Sequence, residues 1–264
     1  MRVSRSTRID LPPATVWAKV QTAPLLQHIA WPMVRFIPVG ETSLDVFRAG
    51  GRYQVKLRLF GFIPFGTQWI VTSLHDAETG EWPKRLRDNG YSALIAKWDH
   101  WITVAPDADG GTHYSDDVEI DAGIMTPVIW TFAQIFYRHR QRRWRGLAQT
   151  LPMRRVIADE TTSYRTARAS GEIDIAWRHL ERAHIVSQPH LGLHLASHWS
   201  MLKLAIELRD WRETAGQIVR LALAPLGALT GRIPVGNTGR SNVSAFQPMP
   251  IPDDLRCAIE AAPE

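Results

Sequence analysis

Cysteine is almost absent: Cys257 stands alone in 264 residues. That excludes an intramolecular disulfide and any cysteine-based zinc cluster, and it fits a reducing compartment. Lysine is nearly as scarce, at five of the 31 basic residues, so the net charge of +5 is an arginine charge. The arginines are scattered outside one run and no nucleic-acid reading module accompanies them, so nucleic acid is not an expected partner. No run of about 18 apolar residues occurs, and the opening MRVSRSTRIDLPP has no apolar core of signal-peptide length. The reading is a cytoplasmic chain without a transmembrane segment. The most apolar late stretch, Ile218 to Leu229, is interrupted by Pro225 and Gly227 and reads as a buried helix end. What is present, 45% hydrophobic and 22% charged residues, is an ordinary globular mix, and the length suffices for one large or two ordinary domains.

The chain is organised around Met125 to Leu151, which reads as one long helix closed by Pro152. Apolar residues at 129, 132, 133, 136, 144, 147 and 151 form a stripe that must bury, while Arg138, Arg142 and Arg145 stay wet. The run Arg138 to Arg145 is a solvated face on this reading; the alternative is a surface for phosphate or membrane. Before this helix the period is two. In Arg52 to Leu59 the odd positions Tyr53, Val55, Leu57 and Leu59 are apolar and the even ones polar, the signature of a half-buried strand. Thr67 to His75, Trp82 to Arg87, Ala93 to Val104 and His113 to Asp121 read likewise, spaced too closely for crossover helices, so the sheet is antiparallel. A short strand at Ser4 to Ile9 and helices starting at Leu11 and near Pro24 precede them.

One strand, two helices, five or six antiparallel strands and a long helix is the order of a helix-grip fold. The strings STRIDLPPATVWAKV, AKWDHWITVAPDADGGTHYSDDVEI and FYRHRQRRWRGLA resemble the START-like superfamily, SRPBCC, of polyketide cyclases and lipid-transfer proteins. The resemblance implies that residues 1–151 form an α+β ligand-binding domain. Its members bind lipids, aromatics or polyketides, and some are catalysts. From about Asp159 to residue 264 the chain turns helical. Tyr164, Ala167, Gly171, Ala176, Leu180 and Ala183 have the spacing of a tetratricopeptide-like hairpin in a small all-α domain, followed by an irregular tail rich in Gly, Pro and Asn. AWRHLERAHIVSQ, the HxxxHWxML string from His194 and the tail GRIPVGNTG…NVSAFQPMPIP resemble a bacterial family known only as a domain of unknown function.

Two candidate sites follow. In the sheet, Leu94, Ala96, Trp98, His100, Ile102 and Val104 share one face, as do Tyr114, Asp116, Val118 and Ile120. A hairpin turn near residue 109 sets Ile102 opposite Asp116 and makes His100 and Asp116 diagonal neighbours. They form either a catalytic acid/base pair or two buried groups satisfying each other. Tyr53, Trp69, Trp98 and Tyr114, with His100, are the expected walls of a cavity for a small apolar molecule.

The second site lies among five of the ten histidines: His179, His184, His190, His194 and His198. Three of them follow i, i+4, i+8 spacing, but i to i+8 spans about 12 Å, so one ion can take an adjacent pair and a third ligand from the preceding antiparallel helix. His184 with His194 and His198 or His190 is that set, with Met201 and Glu181 as further candidates. Imidazole nitrogen suits zinc, copper or nickel. The alternative is a group of packing histidines. HxxxH here lacks the glutamate of HExxH, and Gly236-Asn-Thr-Gly239 lacks the Lys-Ser/Thr of a phosphate loop. That string reads as a loop folded over the helices, with Asn237, Thr238 and Asn242 toward the histidines. The functional expectation is a binding protein for a small apolar ligand, with a helical accessory domain contacting a metal or a partner. The alternative is an enzyme: a cyclase- or hydratase-like acid/base catalyst in the cavity, or a metal-dependent one at the histidine hairpin.

Overall fold

The computed structural model describes residues 1–40, 46–75, 80–230 and 234–260. It divides into two compact units, Met1–Gln149 and Thr150–Ala262. Among the described residues of the first unit, β1 (Arg2–Ile9), α1 (Pro13–Val20), α2 (Ala23–Ala30), β2 (Val34–Pro38), β3 (Arg52–Leu59), β4 (Ile63–His75), β5 (Lys84–Ser92), β6 (Lys97–Pro106) and β7 (Thr112–Asp121) precede the long α3 (Thr126–Ala169). The strands form one antiparallel sheet in the order β1-β7-β6-β5-β4-β3-β2. This is the α+β helix-grip arrangement the strand spacing leads one to expect.

Local chemistry explains the start. Pro13 occupies the first turn of α1, where no N–H is needed, and the Thr22 hydroxyl accepts from the Leu25 N–H to cap α2. In β3, Tyr53, Val55 and Leu57 are buried while Arg52, Lys56 and Arg58 are exposed, as alternation requires. Along α3, Ile129, Ala133, Phe136, Tyr137, Arg140, Trp144 and Ala148 form the buried face. Their spacing of three and four residues keeps them on one side of a helix. Ile129, Ala133, Phe136 and Tyr137 join Val55, Leu57, Ile70, Val118 and Ile120 in one core.

The expected end of α3 at Leu151 is not observed: the helix passes Pro152 and continues to Ala169. A proline removes one N–H donor and crowds the preceding turn. Here the residues beyond it are held by packing, since Met153, Val156 and Ile157 lie against Ile185, Val186 and Leu255. The stop is Gly171, at φ 77°, with the Glu172 N–H on the Ala167 carbonyl and the Gly171 N–H on that of Arg168. That is the left-handed glycine ending a helix favours.

The second unit continues with α4 (Ile173–Ser187), α5 (Leu191–Glu207), α6 (Trp211–Thr230) and α7 (Asp253–Glu260). Trp177, Leu180, Met201, Leu204 and Ala205 form the core of the α4/α5 hairpin. Two expectations need correction. Ile218 to Leu229 is no buried helix end, because Ile218, Val219, Leu223, Leu226 and Leu229 are exposed. The tail is not irregular throughout, since α7 ends it, with Asp253 and Asp254 in the first turn and Leu255 buried. Acidic residues there complement the helix dipole. Gly231 to Ile233, at the head of the tail string, and the last four residues of the expected second domain lie outside the described residues. No helix among those described is long and apolar enough to cross a membrane.

Candidate binding cavity and histidine cluster

In the first unit a cavity of about 100 Å³ lies between the sheet and the helices. Its apolar walls include Phe36, Leu57, Phe65, Ile70, Phe132 and Phe136. Its polar lining consists of Gln68 and Thr72 on β4, Asp88 on β5, Trp98 and His100 on β6, Tyr114 on β7, and Tyr137 and Arg140 on α3. Ile102 is paired with Asp116, so His100 stands diagonal to Asp116, its Nε2 2.9 Å from Oδ1. The fully buried Asp116 also accepts from the Tyr114 hydroxyl at 3.0 Å and Gln141 Nε2 at 3.0 Å, and Arg140 lies 3.6 Å away. Burial alone would raise this carboxyl. The Arg140 charge and the bonds from His100 and Gln141 outweigh it and hold the group below the usual carboxylate range. Burial, partly opposed by the Asp116 bond, lowers the His100 imidazole. An ionised Asp116 only accepts, so the neutral ring donates from Nε2 and leaves Nδ1 as its basic atom. Asp88 is different. Burial pushes its carboxyl up to about 7, against the Val71 N–H bond to Oδ1 and the Arg140 charge.

Of the expected walls, Trp98, His100 and Tyr114 line the cavity. Tyr53 and Trp69 do not. Tyr53 is buried in the core beside Phe47, its hydroxyl accepting from the Arg48 N–H at 2.9 Å. Trp69 points the other way, because β3 pairs Tyr53 with Ile70 and Gln54 with Trp69, which puts even positions of β4 inside. It stacks on Tyr91 at 6.5 Å with Arg52 over its ring. Leu94 precedes β6 and is exposed, while Ile95 is buried.

In the second unit α4 and α5 bring His184, His194 and His198 together. His184 Nε2 lies 2.9 Å from His194 Nε2 and 3.2 Å from His198 Nε2, and all three rings are buried. One nitrogen from each lies within 4.8 Å of the others. His184 Nδ1 donates to the Asn237 carbonyl at 3.0 Å, and His198 Nδ1 to Gln217 Oε1 at 2.8 Å. The Gln217 amide is fixed, since its Nε2 donates to Glu213 Oε1 and the Gly239 carbonyl. His194 Nδ1 is buried and has no hydrogen-bond partner among the described residues. Burial lowers all three imidazoles: His184 well below its ordinary value, helped by the other two, and His194 and His198 to about 4. Neutral rings result.

His190 is not in the cluster. The helix starts at Leu191, so His190 is the extended residue before it, at φ −124° and ψ 107°. His179 pairs with Glu160 at 2.7 Å, Glu181 with Arg240 at 3.2 Å, and Met201 belongs to the hairpin core. Of the loop residues, Asn237 reaches the cluster through its carbonyl, whereas Asn242 is exposed. A cavity of about 450 Å³ opens beside the histidines, walled by Val219, Leu223, Ala224, Val243, Phe246 and Arg220.

Comparison with known families adds a decisive match: the family model described as "Domain of unknown function (DUF8410)" covers residues 7–148, more than half of the chain. The chain belongs to this family. In this DUF8410 member, residues 152–259 also match the model "Protein of unknown function (DUF3703)". No curated protein matches the chain. Solved structures similar to it include a protein from Chromobacterium violaceum, at 16% identity and TM-score 0.42, covering 56% of this chain and 96% of that one. Another, from Thermus thermophilus, has 12% identity and TM-score 0.42 over 56% and 97%. A START superfamily protein from Mycobacterium smegmatis has 13% identity and TM-score 0.38 over 57% and 98%.

Reading the DUF8410 sequence by residue type misses Asp88 and Arg140 in the cavity, Gln141 at Asp116, and Glu213 and Gln217 at the histidines. Signals exist for some. Asp88 shares strand parity with the buried Leu86, and Arg140 falls four residues after Phe136 on the buried face. Glu213 and Gln217 are polar residues at i, i+4 spacing on α6.

Proposed function

We propose that the first unit binds a small molecule with an apolar body and a single polar end. The supporting observation is the asymmetry of the cavity: aliphatic and aromatic side chains on most sides, and one wall where Asp88, His100, Tyr114 and Arg140 converge. Sites of this kind hold the ligand body by burial and fix its orientation with a few placed polar groups. A carboxyl titrating near 7 at Asp88 presents either a donor or an acceptor to that end. The saturation of Asp116 by His100, Tyr114 and Gln141 favours a held, orienting group over one that exchanges protons. The test is titration of the full chain with an environment-sensitive apolar fluorophore, alongside native mass spectrometry for a co-purified organic molecule. Leu57→Trp or Ile70→Phe, which fill the cavity, abolish probe binding while the circular dichroism spectrum stays native. Undiminished binding in both folded variants overturns the proposal.

A further inference from the structure

The contacts within the histidine cluster are of the wrong kind for a self-contained core. Carbonyl oxygens only accept hydrogen bonds, so the Asn237 carbonyl and the Gln217 Oε1 require Nδ1–H on His184 and His198. Each neutral ring then carries a bare lone pair at Nε2, and the two lone pairs face each other at 3.2 Å. A proton on His194 Nε2 relieves only its own 2.9 Å contact with His184, and it leaves an unpaired lone pair at the buried His194 Nδ1. Nothing in that scheme supplies a donor between His184 and His198. Buried acceptors turned toward one another are what a cation site presents without its cation.

The distances agree. Three nitrogens bound at about 2.0–2.1 Å to one tetrahedral ion stand about 3.3 Å apart, close to the 2.9 and 3.2 Å observed from His184. The outer contacts are those that orient ligating imidazoles, with Nδ1–H on an oxygen and Nε2 toward the metal. Glu213 stiffens the support by accepting from Gln217 Nε2 and from the Ser241 hydroxyl and backbone. Gly239, at φ 81°, lies so close that a Cβ there would stand 2.8 Å from His184 Nε2 and Cε1. The loop backbone thus sits directly on the ring. All three histidines also line the 450 Å³ pocket, whose wall is apolar apart from Arg220 and a few loop residues.

We propose that His184, His194 and His198 are the protein ligands of one divalent transition-metal ion of the zinc, cobalt, nickel or copper class. Its fourth position opens into the adjoining pocket and takes a small carboxylate with an apolar tail. Three neutral imidazoles select these borderline ions over magnesium or calcium, which require oxygen ligands. Arg220 supplies positive charge on the pocket wall, and Val219, Leu223 and Phe246 receive the tail.

The full chain, purified without nickel resin and stripped with chelator, is titrated with Zn²⁺ by calorimetry and with Co²⁺ by visible absorption. Wild type binds one ion per chain, and Co²⁺ develops ligand-field bands of a low-symmetry, nitrogen-bound site. His194→Gln weakens Zn²⁺ binding by about 100-fold or more, beyond the 10- to 100-fold typical of losing an outer-shell partner. His194 has no Nδ1 bond to lose, so this variant disturbs the surroundings least. His190→Ala binds as wild type does. Hexanoate shifts the Co²⁺ bands at lower concentration than acetate, because the tail adds burial. Wild type that binds none of Zn²⁺, Co²⁺, Ni²⁺ and Cu²⁺, or binding that a folded His194→Gln retains, overturns the metal site. Should His194→Gln fail to fold, the wild-type Co²⁺ bands decide. Bands unmoved by hexanoate overturn the open position and leave a closed structural site.

Discussion

The two units handle buried polar groups in opposite ways. In the sheet, Asp116 is met by a histidine, a tyrosine hydroxyl, an amide and a guanidinium, so charge and hydrogen-bond sense are matched inside the fold. In the helical hairpin, three imidazoles turn Nε2 toward one another, and those of His184 and His198 are bare because their far sides are tied to oxygens. In the first arrangement both oxygens of the carboxylate are met, and Arg140 Nε is the buried atom left without a partner among the described residues. On the proposal above, the second is complete only with a positive charge at its centre. Proximity of polar residues therefore says little about function until the direction of each donor is worked out.

The comparison breaks first at Asp116. Asp116→Ala strands Arg140 in the core and costs about 3–5 kcal/mol, seen as faster amide exchange throughout β6 and β7. A cost below about 1 kcal/mol, the range of an exposed pair, would show that the network is not what holds these strands. Asp88 gives a pH-dependent effect. Its carboxyl is raised from 3.8 to about 7 by burial. Below about pH 4 folded and unfolded chains both keep the proton; between about 4 and 7 the unfolded chain releases it first. Its contribution to stability therefore falls as pH rises through that window and levels off above it. Asp88→Asn removes this loss, at most about 4 kcal/mol, so the variant gains on wild type at about pH 8 and not at about pH 4. A gain independent of pH refutes the assignment. Gly239→Ala strains a positive-φ residue against the His184 ring and costs about 1–3 kcal/mol, read from chemical denaturation of the helical unit. Trp98→Ala, on the cavity wall, weakens apolar probe binding by about tenfold, or about 1.4 kcal/mol. Lys56→Ala, on the outer face, leaves it unchanged. Equal effects from the last two would mean the faces are exchanged.

Much of the sheet is legible because alternation is a local signal. The parity of Tyr53, Val55 and Leu57, and the register placing Ile102 against Asp116, can be read from side-chain type and turn position. The inward parity of β4 cannot, since it depends on pairing with β3, and Trp69 falls on the wrong face for that reason. Pro152 misleads because a proline's cost is local, whereas the packing of Val156 and Ile157 that outweighs it is not. At the histidines, i and i+4 spacing plus an antiparallel return identifies His184, His194 and His198. The same spacing admits His190, because it does not say where a helix begins. Gln217 is invisible to a search for ligating residue types, since it acts by fixing a ring.

The string Gly236-Asn-Thr-Gly239, which imitates a phosphate loop in composition, delivers something else. At Gly236 a Cβ would collide with the Met249 carbonyl at 1.9 Å, and at Gly239 with the His184 ring at 2.8 Å, both at positive φ. Between them the Asn237 side chain ties the loop to Ser244 and Gln247 and to the Gly239 N–H, which leaves its carbonyl for the imidazole. The φ of 81° favours glycine at 239 whatever stands at position 184, and the His184 ring closes the space a side chain there would need. The loop therefore meets the helix that carries His184, some fifty residues away, through its backbone: a carbonyl on Nδ1 and a glycine against the ring.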